Sequence, residues 1–308
     1  MEYVTKKEIK LPQRNPYSHK GDNGAVLVVG GSQDYVGAVA LAGLAALRSG
    51  CDLVKIVAPE KAAWAINAYS PDLITTKLPS EIFLPEHFNV IKKEMNKFDV
   101  LLIGNGIGLN YETKKFCKKT IKRIKKLKVI DADALKAISM DDAENSIITP
   151  HSKELEHFLI NSKIGESIIN EINKVINEIN KEENIIKKSK LIKNTVQKFL
   201  NKNNIILLKG KVDIIISKDK IFYNKTGNAG MTKGGTGDVL AGLCAGFLAQ
   251  SKDLLQSAVN AAYFNGIIGD ILLKKKRGFT YLASDMAEEI KRIQNYKALR
   301  KKAAANTQ

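Results

Sequence analysis

The sequence predicts an α/β fold organised around a mostly parallel central sheet. Continuous apolar runs occur at residues 25–29 and 205–208, and the run at 99–103 is apolar after Asp99. Such runs are typical of strands that are buried on both faces. Helical segments separate these runs, which favours βαβ units with right-handed crossovers. The length of 308 residues suits one large domain of this class.

The first unit begins with the strand at residues 25–29, followed by Gly30 and Gly31. Residues 37–47 are small or aliphatic throughout, so they predict a buried helix. A strand at 53–57 and a helix at 59–68 complete the unit. Because Gly30, Gly31 and Gly37 do not fit the spacing GxGxxG, a dinucleotide-binding oxidoreductase is disfavoured.

Two further strands end in residues that suit a ligand site. The run at 99–103 leads into Gly104, Gly106 and Gly108, and glycines at the carboxyl end of a parallel strand lie where open α/β sheets bind ligands. The same glycines would equally suit a tight turn that binds no ligand. The strand at 129–132 carries Asp131 and is followed by Asp133. These aspartates could cap the next helix, bind a ligand or bind Mg²⁺, and the sequence leaves the three roles open.

The middle of the chain predicts one more strand end and a helical elaboration. Residues 147–150 end a strand, and a helix that starts at Ser152-Lys153-Glu154 is an adequate structural explanation of His151 and Glu154. Residues 161–204 are rich in Ile, Asn, Lys and Glu, with isoleucines at helical spacing. We expect amphipathic helices there, on the outside of the domain or in an oligomer contact.

The strand at 205–208 leads to Lys209, which could contact a phosphate or cap an exposed strand end. Residues 212–217 and 220–223 predict a hairpin over the turn at 218–219. A glycine turn, Gly234, Gly235 and Gly237, then precedes an apolar helix. The unpaired N–H groups and the dipole at a helix start favour anions, and glycines let a phosphate approach the backbone.

Asp238 follows the glycine turn directly. A carboxylate beside a phosphate site would repel the ligand unless it has another task. It could serve as the general base that takes a proton from a hydroxyl group attacking a phosphoryl group. The alternative is an ordinary N-cap over a tight turn.

Composition excludes several other classes. The net charge is +17, but the lysines are spread over helix surfaces and no zinc-finger, RNP or basic-zipper pattern accompanies them, so we do not expect nucleic acid as a partner. No run of 18 uncharged apolar residues occurs, so no membrane partner is expected. The separated Cys51, Cys117 and Cys244 are typical of reduced core thiols in a cytoplasmic protein.

Successive short motifs carry a family resemblance. They are His19-Lys20-Gly21-Asp22, Gly37-Ala38, Ala46-Leu47-Arg48, Gly104 to Gly108, Asp131-Ala132-Asp133, Thr149-Pro150-His151, Leu208-Lys209-Gly210, Asn228 with Gly230 and Thr232, Gly234 to Gly242, and Ala283-Ser284-Asp285. In this order they resemble the ribokinase-like superfamily, and in detail the NAD(P)H-hydrate dehydratases. The resemblance covers the chain from about residue 17 to residue 292.

The resemblance implies a ribokinase-like three-layer αβα domain. It also implies nucleotide-dependent dehydration of the S-epimer of hydrated NADH or NADPH, with ADP or ATP as phosphoryl donor and Mg²⁺ as the expected metal. The implied substrate-binding residues are Ala38, Gly106, Gly108, His151 and Asp238. The implied nucleotide-binding residues are Lys209, Gly210, Lys211, Val212, Asp213 and Gly237. Asp238 would be the base, and the anion hole would be formed by Gly235, Thr236 and Gly237.

The resemblance leaves some points open. A hydroxyl kinase of the same superfamily would use the same Asp238 and glycine turn, and a basic nucleotide-sensing module is the alternative from another class. Asn265 stands where many relatives have His. We expect an irregular arm at 1–18, a single domain at 19–295, a disordered basic tail at 296–308, no epimerase domain and a homo-oligomer, with a tetramer suggested by the resemblance. The sequence does not indicate the metal ligands or decide between ADP and ATP as donor.

Overall fold

A computed structural model describes residues 2–162 and 176–292, and its centre is a ten-stranded sheet. The strands are β1 (Glu2–Tyr3), β2 (Ala25–Val29), β3 (Leu53–Pro59), β4 (Ile74–Leu78), β5 (Val100–Ile103), β6 (Leu127–Ile130), β7 (Ser146–Ile148), β8 (Ile205–Leu208), β9 (Asp213–Ile216) and β10 (Ile221–Asn224). Their order is β1-β10-β9-β8-β7-β6-β5-β2-β3-β4. Within this sheet only β9 runs antiparallel to its neighbours, which confirms the mostly parallel sheet and the hairpin.

Helices cover both faces of the sheet. They are α1 (Val36–Arg48), α2 (Glu60–Tyr69), α3 (Phe88–Glu94), α4 (Tyr111–Arg123), α5 (Ser152–Asn161), α6 (Ile185–Thr195), α7 (Gln197–Leu200), α8 (Thr236–Ser251), α9 (Leu254–Lys275) and α10 (Ala283–Glu289). Successive residues of β2 point to opposite cores. Val26 and Val28 pack with α1, α2 and α8–α10 in the first core, and Leu27 packs with α3–α7 in the second core. The three-layer arrangement is therefore confirmed.

Small residues allow α1 and α8 to pack backbone against backbone. A Cβ atom at Gly242 would lie 2.2 Å from the carbonyl oxygen of Ala42, and one at Gly246 would lie 2.6 Å from that of Ala46. Neither residue could carry a side chain at this helix separation. The pairing explains why both helices consist almost entirely of small and aliphatic residues.

The sequence predicts an irregular amino-terminal arm, and this prediction is wrong in part. Glu2–Tyr3 pairs in parallel with β10, so the arm extends the sheet at its edge. Ile9 is fully buried, and the Asn260 side chain of α9 donates to the carbonyl oxygen of Lys10 at 2.7 Å. Apolar burial and pairing of backbone groups therefore tie the arm to the domain.

The motif at residues 19–22 lies at the amino end of the sheet. Asp52, just before β3, accepts the backbone N–H of Gly21 at 2.9 Å and that of Asn23 at 3.0 Å. Arg14 pairs with the same carboxylate. This motif therefore anchors the chain before β2 and does not reach the carboxyl ends of the strands.

Residues 163–175 and 293–308 lie outside the described residues. The first range contains part of the predicted helical segment, including Ile168, Ile169, Ile172 and Val175, and the second contains the predicted tail at 296–308. Within the described part, Ile176 and Ile179 are buried in the second core. Among the described helices, none combines the length and the apolar character that crossing a bilayer requires.

The strand order locates the ligand-binding edge. From β2 the chain proceeds outward through β3 to β4, returns to β5 on the other side of β2, and then proceeds through β6, β7 and β8. The order therefore reverses between β2 and β5. Open α/β sheets bind ligands beyond the carboxyl ends of the strands at such a switch point. The loops after β2, β5, β6, β7 and β8 meet at this edge.

Candidate active site

The glycine turn forms the N-terminus of α8, as predicted. Gly235 is the N-cap with φ of +93°, and a Cβ atom there would lie 2.7 Å from Ala283 Cβ and 2.8 Å from Leu41 Cδ1. Packing therefore requires glycine at this position. At Gly234 no described atom lies within 4 Å of such a Cβ, and at Gly237 the nearest atom is Lys209 Nζ at 3.5 Å. These two glycines leave open volume in front of the helix.

The backbone N–H groups of the turn are only partly engaged. The N–H of Thr236 donates to the carbonyl oxygen of Lys233 at 3.4 Å, and the Thr236 hydroxyl donates to Met231 at 2.7 Å. No described residue accepts the N–H of Gly235 or Gly237. The predicted anion hole at Gly235, Thr236 and Gly237 stays a prediction, and its available donors are those of the two glycines.

Asp238 is the third residue of α8 and does not cap the helix, because no side chain makes a capping hydrogen bond there. Its Oδ1 accepts a hydrogen bond from Asn105 Nδ2 at 2.7 Å. Burial and the nearby charge of Asp131 raise the pKa of Asp238 to about 6, against the hydrogen bond from Asn105 and the Lys209 charge. A carboxyl group with this pKa is ionised at neutral pH and remains basic enough to accept a proton.

Asp131 and Lys209 form a buried ion pair beside Asp238. The Oδ1 atom of Asp131 accepts from Lys209 Nζ at 3.0 Å and from the Thr149 hydroxyl at 2.7 Å. Lys209 also lies 3.5 Å from Glu154 Oε2. Burial lowers the pKa of Lys209, but the charges of Asp131 and Glu154 outweigh it and raise that pKa above its ordinary value. Asp131 thus holds a charged lysine at the site and makes no capping contact with the following turn.

The substrate-side residues predicted from the resemblance come together at the β5 and β2 ends. A Cβ atom at Gly106 would lie 3.2 Å from Ala38 Cβ and 2.6 Å from the carbonyl oxygen of Tyr35, so the two loops are in contact. Gly108 has φ of +87°, and its N–H donates to Asp133 Oδ2 at 3.2 Å. Substrate binding by Ala38, Gly106 and Gly108 stays a prediction.

His151 is the N-cap of α5. Its Nδ1 accepts the N–H groups of Lys153 at 3.2 Å and Glu154 at 3.3 Å, and the Glu154 carboxylate accepts the N–H of His151 at 2.9 Å. Burial lowers the pKa of His151, so the ring is neutral at pH 7 and can accept these bonds. The explanation of His151 by a helix start is therefore confirmed, and about half of its side chain is exposed. Substrate binding by His151 stays a prediction.

The predicted nucleotide loop is closed by its own aspartate. Asp213 accepts the N–H of Gly210 at 3.1 Å and the Asn224 side chain at 3.0 Å, and burial raises its pKa to about 6. Lys211 is exposed and Val212 packs against the second core. Asp213 therefore shapes the loop, while the contacts of Lys209, Gly210, Lys211, Val212, Asp213 and Gly237 with a nucleotide stay predictions.

The sequence interpretation missed Asn105 and the clamp behind the glycine turn. Only the glycines of the motif at residues 104–108 carry a local sequence signal, so Asn105 is not predicted from its neighbours. The Asn228 side chain donates to Asp270 at 3.0 Å and accepts the Tyr281 hydroxyl at 2.6 Å. Asp270 also accepts the N–H of Gly227 at 3.0 Å. This clamp fixes the segment before the turn and gives Asp270 a structural role.

Several known proteins are similar to this chain. A protein of Methanocaldococcus jannaschii named bifunctional NAD(P)H-hydrate repair enzyme is 38% identical over 92% of this chain and 50% of its own length. An ADP-dependent (S)-NAD(P)H-hydrate dehydratase of Nitrosopumilus maritimus is 32% identical over 92% of both chains. The chain thus spans about half the length of the bifunctional relatives that it matches.

Two solved structures share the fold. A ribokinase-like superfamily protein of Enterococcus faecalis superposes with a TM-score of 0.77 at 24% identity, covering 96% of both chains. The ADP/ATP-dependent NAD(P)H-hydrate dehydratase of Bacillus subtilis, co-crystallised with ATP/Mg²⁺, superposes with a TM-score of 0.73 at 24% identity. This superposition covers 96% of this chain and 98% of the Bacillus subtilis chain.

The sequence profile described as NAD(P)H-hydrate dehydratase matches residues 26–292, which is most of the 308-residue chain. The matched range contains the glycine turn, Asp238, Asn105 and the Asp131–Lys209 ion pair. The chain belongs to the NAD(P)H-hydrate dehydratase family.

Proposed function

We propose that this protein removes water from the S-epimer of hydrated NADH and NADPH by transferring a phosphoryl group to the ring hydroxyl and then eliminating phosphate. The observation that carries the proposal is the position of Asp238. Its carboxylate lies in the first turn of α8, next to two glycines that leave open volume and beside a lysine. Two relatives that this chain matches over more than nine tenths of their own length are named (S)-NAD(P)H-hydrate dehydratases, and these names support the same substrate.

The chemistry follows from leaving-group ability. Hydroxide leaves the hydrated ring poorly, whereas phosphate leaves well. Asp238 takes the hydroxyl proton as the hydroxyl oxygen attacks the terminal phosphoryl group of the nucleotide, which departs one phosphate shorter. The ring nitrogen then donates its lone pair, the bond from carbon to oxygen breaks, and loss of a proton from the adjacent carbon restores the dihydronicotinamide. The products are NADH or NADPH and phosphate.

The N–H groups of Gly235 and Gly237 and the Lys209 ammonium would face the negative charge on the transferred group. One such preorganised donor contributes roughly 3 to 4 kcal/mol in other enzymes. Lys209 is held at the site by Asp131 and Glu154, so it is charged before the nucleotide arrives. ADP and ATP present the same groups to this arrangement, and we propose either as donor.

Mg²⁺ fits this site as a companion of the nucleotide. Among residues 2–162 and 176–292, no three His, Cys, Asp or Glu side chains gather as a metal site. Asp131 and Glu154 already accept hydrogen bonds from protein donors. Mg²⁺ commonly keeps several waters and binds mainly through substrate phosphates, which this donor set suits. When bound, it would neutralise charge on the phosphates.

A hydroxyl kinase is the second candidate, because proton removal by Asp238 would serve that reaction equally. It would release a stable phosphate ester in place of inorganic phosphate. The experiment mixes the purified protein with hydrated NADH or NADPH and Mg²⁺, adding ADP, ATP or neither, and follows recovery of the dihydronicotinamide absorbance. We expect recovery only with a nucleotide. Folded protein that gives none with either nucleotide would favour the kinase.

The pH dependence of kcat/KM should show the ionisation of Asp238. Because burial raises the pKa of this carboxyl to about 6, the base is protonated and inactive below that pH. We expect a plateau above about pH 7 and a tenfold fall per pH unit below about 6. The pKa of Asp213 is also about 6, so the profile should be repeated with Asp213→Asn. The acidic limb of the profile, which is the fall in kcat/KM below about pH 6, should persist in that variant. Its loss would assign the acidic limb to Asp213.

Self-association and a cytoplasmic location are further proposals. Large side chains exposed on the described surface, such as Tyr17 and Trp64, support contacts between copies, and light scattering during gel filtration measures the oligomeric state. The buried thiols Cys51, Cys117 and Cys244 support a reducing compartment.

A further inference from the structure

Asn105 connects the proposed base to the ion pair behind it. Its side chain is fully buried, and Nδ2 donates to Asp238 Oδ1 at 2.7 Å and to Asp131 Oδ2 at 3.0 Å. One amide group therefore uses both of its hydrogens on two carboxylates that would otherwise repel each other. Through Asp131 the connection continues to Lys209.

The two carboxylates determine the orientation of this amide. No described residue donates to Asn105 Oδ1, which is itself buried. A flipped amide would place that oxygen against Asp131 and Asp238, which is electrostatically unfavourable. The donor side of Asn105 is therefore directed at Asp238 by the charges of the site.

The backbone of Asn105 is held from both sides. Its carbonyl oxygen accepts the N–H of Gly31 at 2.9 Å, and a Cβ atom at Gly30 would lie 2.4 Å from the same oxygen. On the other side, a Cβ atom at Gly104 would lie 1.9 Å from the carbonyl oxygen of Asp131. The glycines that follow β2 and β5 thus allow these loops to enclose Asn105 and fix its side chain.

We propose that Asn105 is a positioning residue that holds Asp238 Oδ1, so that Oδ2 is directed to the acceptor hydroxyl, and that it keeps the Asp238 carboxylate in its charged form. This inference rests on the proposed role of Asp238 as base. A donated hydrogen bond favours the ionised carboxylate, so Asn105 lowers the Asp238 pKa against the effects of burial and Asp131. A purely structural Asn would stabilise the loop without affecting proton uptake by Asp238.

The test compares Asn105→Leu and Asn105→Asp with the parent protein. Leu removes the donated hydrogen bond, and Asp, which has nearly the same shape, replaces the donor with a third carboxylate. We expect the titration midpoint of Asp238 to rise by about one pH unit with Leu and further with Asp. Carboxyl ¹³C NMR of aspartate-labelled, nucleotide-free protein measures the midpoint, with the Asp238→Asn spectrum identifying the signal.

Asn224→Leu is the matched control, because Asn224 is a buried asparagine that donates to a different carboxylate, Asp213, at 3.0 Å. This variant should shift the Asp213 titration and leave that of Asp238 in place. An unchanged Asp238 midpoint in both Asn105 variants would overturn the proposal. The NMR titration does not depend on turnover, so a protein inactive on the hydrates could still show the shift, and the two proposals fail separately.

In active protein the same variants should change kcat more than the KM for nucleotide. We expect kcat at pH 8 to fall about tenfold to 100-fold in Asn105→Leu, since a base that is poorly oriented still accepts protons. The acidic limb of kcat/KM should move upward with the NMR midpoint. A larger KM for nucleotide, with unchanged kcat and an unchanged acidic limb of kcat/KM, would indicate that Asn105 has a binding role. That result would contradict positioning of the base.

Discussion

Replacing Asp238 by asparagine should reduce hydrate turnover by about 100-fold or more and, at pH 8, make the folded protein more stable. Turnover falls because an amide cannot accept the hydroxyl proton, and positioned general bases contribute on this scale. The geometry is kept, since the new carbonyl oxygen can still accept the hydrogen bond from Asn105 that Asp238 Oδ1 accepts at 2.7 Å.

The stability gain follows from linkage. The pKa of Asp238 is raised from 3.8 to about 6 in the folded protein, so above pH 6 folding buries a charge that the unfolded chain keeps in water. This cost is full above about pH 6 and disappears as the pH falls toward 4. The free energy of unfolding of the Asn variant should therefore exceed that of the parent by about 1 to 3 kcal/mol at pH 8 and equal it near pH 4.

Urea unfolding at both pH values and kcat at pH 8 measure the two effects on one sample. Asp133→Asn is the matched control at the same edge of the sheet, since Asp133 accepts from Gly108 and Lys136 and does not contact Asp238. We expect that variant to lose less than about tenfold in kcat. Undiminished turnover by Asp238→Asn would show that Asp238 is not the general base.

The second large effect concerns the contact between α1 and α8. Gly242→Ala should destabilise the protein by about 3 kcal/mol, although alanine normally stabilises a helix relative to glycine. The added Cβ would lie 2.2 Å from the carbonyl oxygen of Ala42 and 2.8 Å from Ala45 Cβ, so the two helices must separate. Because α1 carries Ala38 toward the site, kcat should fall as well.

Gly37→Ala is the matched control for this prediction. Gly37 is also in a helix, but no described atom lies within 4 Å of the position that its Cβ would take. We expect a stability within about 1 kcal/mol of the parent, or a small gain. Equal thermal and urea stability of the two variants would show that the helix contact tolerates a methyl group, contrary to the packing described above.

Local sequence pattern was sufficient for most of the fold. The runs AVLVV and IILL, which form β2 and β8, are apolar at every position because both faces of these strands are covered, and this alone separates them from half-exposed strands. The arm was harder to predict, because β1 has only two residues and its pairing with β10 bridges more than two hundred positions. Nothing in the residues around Glu2–Tyr3 indicates that contact.

The site could be located from sequence but not assembled. The turn before Asp238 is readable, since glycines before an apolar helix have a direct meaning for anions. The partners of Asp238 are not readable, because Asn105 is 133 positions away and Lys209 reaches Asp131 across 78. Asn105 was visible only as a polar residue among three glycines, and its role depends on the closure of the sheet at the switch point.

In the proposed mechanism the ring hydroxyl is phosphorylated before it leaves. The most direct measurement uses hydrated NADH labelled with ¹⁸O in that hydroxyl, with unlabelled nucleotide, Mg²⁺ and the purified protein. The mechanism predicts that the label is recovered in inorganic phosphate, one atom for each molecule of NADH formed, as seen by ³¹P NMR or mass spectrometry. Recovery of the label in water, with unlabelled phosphate, would mean that hydroxide leaves directly and would contradict the assignment of Asp238 as the base for phosphoryl transfer.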